Sequence, residues 1–120
     1  MDRKTKGRLA EVKVLSYLIE NNYEPFLPFS DNTKLDLIAV KDGKLNRVSV
    51  KYTATMASKT TWRVVLTQVS RRNKGTVQVD KFDSSEFDLL AVYIGPLDKV
   101  VLVDAKSFTN TAQLNLLLED

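Results

Sequence analysis

An Asp42-Gly43 pair separates two runs of alternating or apolar residues, and it limits the fold more tightly than any other feature of the chain. Asp-Gly is a strong hairpin signal, because both central residues of a type I′ turn need a positive φ. Residues 34–40 read as a largely buried strand, and residues 45–53 as a second strand with period-2 alternation. With Lys41 paired to Lys44, Asp36 falls opposite Ser49 on one face, and Lys51 lies on the diagonal within reach. A slip of one residue would turn every side chain to the other face, so this register is a sharp expectation. Asp is disfavoured in strands, and Asp36 otherwise reads as a residue at an exposed strand start.

The remaining elements follow from periodicity. Residues 3–21 read as an amphipathic helix with Val12, Val14, Leu15, Leu18 and Ile19 as its apolar stripe, ended by Asn21-Asn22. Glu11 sits about 20° from Leu18 around the helix axis, inside that stripe. A carboxylate placed there is costly unless it is paired or binds a metal. The alternative is a side chain at the stripe's edge, bent towards solvent or Arg8. Residues 61–69, 76–80, 87–94 and 99–103 read as strands, and 105–118 as a closing helix. Helix, strands, then helix gives an α/β fold with a mixed sheet in one domain spanning 1–120.

Composition narrows the chemistry. The 120 residues contain no cysteine and no histidine, which excludes disulfides, thiolate nucleophiles and the commonest general base. Catalysis must then run on carboxylates, lysines, hydroxyls or a hard cation held by oxygen. The net charge of +3 and pI near 9.2 permit a nucleic-acid partner without requiring one. No run approaches the roughly 18 apolar residues of a membrane span, and the N-terminus leads into no signal peptide, so the expected setting is cytoplasmic.

Lys6-Gly7-Arg8-Leu9-Ala10-Glu11, then Leu35-Asp36-Leu37-Ile38, then Ser49-Val50-Lys51 resembles the layout of the PD-(D/E)XK nuclease superfamily. Within it, the Pro28-Phe29-Ser30 loop and the strand text Phe87-Asp88-Leu89-Leu90-Ala91-Val92-Tyr93 look most like group I intron-associated homing endonucleases. The likeness covers roughly residues 4–103. One departure is Ser49, where the family carries Glu, Asp or Gln.

The resemblance implies a restriction-endonuclease-like core, a mixed β-sheet flanked by helices, and Mg²⁺-dependent cleavage of double-stranded DNA. It implies catalytic roles for Glu11, Asp36, Ser49 and Lys51. Asp36, Glu11 and the Val50 carbonyl would be the metal ligands, a donor set suited to a cation that takes hard oxygen and keeps several waters. The expected DNA contacts are Arg71, Arg72 and Lys74 in a basic loop, Lys6 and Arg8 on the first helix, and Ser30 at the scissile phosphate. Asn73, Gln68 and Gln78 are able to read bases. Cutting both strands of a duplex calls for a homodimer or larger homo-oligomer. Two other functions fit the same layout: a Holliday junction resolvase, and an inactive relative that only binds DNA, for which Ser49 is the argument. A plain interaction module remains if the protein has no salt-sensitive affinity for DNA.

Overall fold

In the computed structural model, described for residues 1–30, 35–71, 77–80, 83–108 and 112–118, the hairpin organises a five-stranded sheet. Helix α1 (Arg3–Glu20) comes first, followed by β1 (Glu24–Phe26), β2 (Leu37–Lys41) and β3 (Lys44–Thr53). Asp42 and Gly43 adopt φ of 52° and 77°, and Lys41 pairs with Lys44 and Leu37 with Val48, as the turn residues predict. A 35-residue excursion is needed before the chain returns as β7 (Leu89–Ile94), parallel to β3. Parallel neighbours require such a long crossover. The antiparallel β8 (Lys99–Asp104) then closes the order β1-β2-β3-β7-β8.

The two faces of this sheet are covered differently. On one lies α1, whose buried residues are Ala10, Val14 and Leu18; Val14 and Leu18 pack with Leu37, Ala39, Val48 and Ala91. Residues four apart on a helix precess by about 40°, so these three form one narrow ridge. Val12 and Ile19, expected in the apolar stripe, are exposed because they lie on the helix's outer side.

On the other face the crossover packs β4 (Thr61–Val65), whose Trp62 and Val64 join Leu66, Phe87, Leu90, Val92 and Ile94 in a second core. With both faces covered, β7 is buried at every position from Leu90 to Ile94. That explains its unbroken apolar text. Where the parallel pair begins, Asp88 and Arg47 clamp β7 to β3. The Arg47 amide and guanidinium both donate to the Asp88 carboxylate, and Asp88 N donates to Arg47 O.

Three expectations are corrected. The stretch expected as one strand over 61–69 is broken. β4 ends at Val65, Leu66 N donates to Ala112 O, and β5 (Gln68–Arg71) pairs with β6 (Val77–Asp80) in a separate ribbon. The tail expected as a helix over 105–118 instead makes a short 3-10 turn at Ala105–Ser107 and then β9 (Gln113–Leu117). β9 pairs antiparallel with β4, and its Leu114 and Leu116, two apart, pack on the Trp62 cluster. The edge of β4 would otherwise leave its backbone groups unpaired, and that demand overrides the helical text. Among the described residues the sheet is therefore flanked by one α-helix rather than several. No helix among them is long and apolar enough to cross a membrane.

Candidate active site

β3 runs on from Ser49 to Thr53 beyond the start of β2, and that mismatch makes the site. From Ser49 to Thr53, β3 has β7 on one side and, among the described residues, no partner strand on the other. Asp36 stands where β2 begins. Its amide donates to Val48 O at 3.3 Å, and its Oδ2 accepts from Val50 N at 2.7 Å. The carboxylate thus takes the place of a missing strand, which accounts for an Asp at this position. The amide and carbonyl of one strand residue point to the same edge, so Val50 O lies on the Asp36 side.

Burial pushes the Asp36 carboxyl up, against the Val50 hydrogen bond and the nearby Lys51 ammonium, which pull it down. Lys51 itself is pushed down by burial, with Asp36 opposing. The two are partly buried opposite charges. Each stabilises the ionised form of the other, and each is held back by lost solvent.

Glu11 approaches from α1. It is exposed, at the margin of the buried ridge rather than inside it as its helical angle suggested. Its carboxyl is nevertheless raised, first by desolvation and then by the charge of Asp36, while Arg8 pulls it down. Asp36 is therefore near enough to feel the charge of Lys51 and to impose its own on Glu11. A half-buried carboxylate and a second one whose ionisation it disfavours, beside an open carbonyl edge, suit a divalent cation. These residues fit a hard, oxygen-ligated ion such as Mg²⁺. Among the described residues no group of three or more Asp, Glu, His or Cys gathers.

Ser49 is fully buried and its hydroxyl has no hydrogen-bond partner. It lies in the ladder one residue before Val50, paired in register with Leu90. An unpartnered buried hydroxyl is uncommon and costs about 1–3 kcal/mol.

Of the residues expected to touch DNA, Lys6 is near the site. Its ammonium lies 5.7 Å from the Tyr52 ring centroid. Arg8 is exposed on α1, close enough to Glu11 for its charge to be felt. Ser30 is exposed, immediately before residues outside the description. Arg72, Asn73 and Lys74 of the basic loop lie outside the described residues, as do the side chains of Gln68, Arg71 and Gln78. Sequence reasoning did not single out Tyr52 or Thr67. With Arg3, Lys6, Gly7 and Lys51 they line a cavity of about 560 Å³ beside the lysine. Alternation assigned Tyr52 to a face but gave no sign of what covers it.

No curated protein sequence matches the chain. Among solved structures, a bacterial homing endonuclease, I-Ssp6803I, superposes with a TM-score of 0.80 at 17% sequence identity, covering 100% of this chain and 81% of that one. At that identity the likeness establishes the fold. The sequence family described as PD-(D/E)XK endonuclease matches residues 1–120. The chain belongs to the PD-(D/E)XK endonuclease family.

Proposed function

We propose that the protein is a site-specific, homing-type endonuclease that hydrolyses phosphodiester bonds of double-stranded DNA with Mg²⁺. The observation that carries this reading is the Asp36 carboxylate anchored on Val50 N at the open edge of β3, with Lys51 one residue further on. Asp36 and the Val50 carbonyl would hold the cation, and Glu11 would hold a second ion or a water of the first. Bound there, Mg²⁺ supplies a Lewis acid for the scissile phosphate and a more acidic water.

The chain's own residues do the rest. Lys51, poised beside Asp36, orients the attacking water and donates to the negative charge that builds on the phosphate oxygens as one P–O bond forms and the other breaks. Arg8 tempers the charge of Glu11. Two copies acting on opposite strands would cut the duplex, so the working form is a homodimer or larger. The likeness of fold to a bacterial homing endonuclease supports the homing-type reading.

The test is cleavage of long duplex DNA, including the locus around the gene, in Mg²⁺ and in EDTA, beside Asp36→Ala and Lys51→Ala. Discrete fragments that require Mg²⁺ and vanish in both variants are expected. Cleavage that survives Asp36→Ala refutes the assignment.

Ser49 favours one second reading, a relative that binds DNA without cutting it. A buried hydroxyl is a poorer ligand than the carboxylate or amide found there in the family. Tight, salt-sensitive binding with intact DNA in every metal tried would select that reading.

A further inference from the structure

The chemistry of the site leaves unexplained a groove that continues from it. The cavity beside Lys51 shares Lys6, Tyr52 and Val65 with a second cavity of about 330 Å³ that runs on past Thr53 and Thr55 to Arg63. Together they form one trough along the end of β3. Its walls carry the cations Arg3, Lys6, Lys51 and Arg63, and among the described residues neither lining contains a carboxylate. Arg3, Lys6 and Arg63 have no ion-pair partner among the described residues. Elsewhere in the protein the pattern differs, since Lys13 and Arg47 are each paired with an aspartate.

The groove is built in advance of any ligand. Arg63 N donates to Thr55 O at 2.8 Å, and the Thr53 hydroxyl donates to Arg63 O. These bonds pin the backbone of β4 against the end of β3 on both sides of Arg63. Its neighbours Trp62 and Val64 are buried in the core, so alternation sends the Arg63 side chain outward. Lys6 is held over the Tyr52 ring, and that ring is fixed by Tyr93 at 5.9 Å and by the close approach of Gly95. The first turn of α1 adds no acidic residue beyond the cap Asp2, so Arg3 and Lys6 crowd positive charge at the positive end of the helix dipole. Such an arrangement disfavours the free protein and favours a polyanion.

We infer that this trough seats the phosphodiester backbone on one side of the scissile phosphate, with Arg3, Lys6 and Arg63 as its phosphate contacts. The inference rests on the nuclease reading, because the trough is continuous with Lys51 and what fills it is continuous with what reacts there. Contacts of this kind carry position rather than sequence, so they act equally on every DNA.

The experiment is the salt dependence of binding to a short DNA duplex in EDTA, where nothing is cut. It compares the wild type with Arg3→Gln/Arg63→Gln, the two singles, Arg63→Lys and the control Lys44→Gln. Each phosphate contact contributes about 0.9 to the slope of log affinity against log salt. The double variant is expected to lose about 2 from that slope and to weaken on cognate and unrelated duplexes alike. Arg63→Lys should keep most of the slope, and Lys44→Gln, at the hairpin turn at the opposite end of β3, all of it. A double variant with the wild-type slope overturns the groove and leaves the nuclease reading standing. A wild type with no salt-dependent affinity for duplex DNA overturns both.

Discussion

Replacing Ser49 by alanine is expected to make the protein more stable and the enzyme worse. Ser49 is fully buried and its hydroxyl has no partner. Leaving such a group unsatisfied costs about 1–3 kcal/mol of stability. Removing the oxygen recovers that cost and leaves a void smaller than a methyl group, which takes back at most about 1 kcal/mol. The net gain is roughly 1 kcal/mol, or about 4 °C in melting temperature for a chain of this length. The assay is thermal and urea unfolding of wild type and Ser49→Ala in EDTA, with cleavage measured separately in Mg²⁺. A higher midpoint with an unchanged urea slope, together with slower cleavage, fits a hydroxyl kept for the site at the expense of the fold. An equal or lower midpoint would mean that the hydroxyl is satisfied in solution, and the reasoning would be wrong. The longer Ser49→Gln restores the family's residue type, but it must enter a fully covered position and is expected to cost about 1–3 kcal/mol by overpacking.

Four further outcomes are expected. Mg²⁺ at ten times its dissociation constant should stabilise the wild type by about 1.4 kcal/mol and leave Asp36→Ala unmoved, which differential scanning calorimetry reads directly. Because the Glu11 carboxyl is raised in the folded state, the unfolded chain releases its proton first, and this group destabilises the metal-free protein as pH climbs above its ordinary 4.5. Glu11→Gln should therefore melt higher than wild type near neutrality, with the two converging in acid, and added Mg²⁺ should reverse the order. A Cβ at Gly95 would lie 2.3 Å from the Tyr52 hydroxyl and 2.8 Å from its ring. Gly95→Ala should thus displace that ring, cost about 1–3 kcal/mol, and weaken DNA binding in EDTA. Gly43→Val forces a β-branched residue to a φ of 77°, and chemical denaturation should show a loss of about 1–2 kcal/mol.

The hairpin was legible because its information is local. Two residues that accept positive φ fix the turn, the turn fixes the register, and the register brings Asp36 beside the Ser49–Lys51 segment. Helix α1 was legible in extent but not in facing. Val12 and Ile19 are apolar yet exposed, while Val14 and Leu18, with Leu15 beside them, pack against the sheet. The same difference moved Glu11 from the stripe to its margin. Ser49 alternates with Val48 and Val50 and so read as an ordinary polar face. It is buried because the crossover lays β4 over that side, a contact no short-range pattern announces.

The closing strand failed for a related reason. Leu114 through Leu118 supports either period, and the unpaired edge of β4, some fifty residues earlier, decides between them. Arg63 and Tyr52 were illegible as neighbours because the bonds from Thr53 and Thr55 to Arg63 close a turn that no periodicity marks. The family resemblance supplied what local reading could not, the chemistry proposed for Glu11, Asp36 and Lys51.

The position of a bound divalent cation is the most direct test of the proposed site. Crystals of the protein with uncleaved duplex DNA and Mn²⁺ in place of Mg²⁺ would show it by anomalous scattering. The account predicts a peak within bonding distance of the Asp36 carboxylate and the Val50 carbonyl, against a DNA phosphate that Lys51 also reaches. A peak elsewhere, or DNA bound away from the open edge of β3, would contradict it.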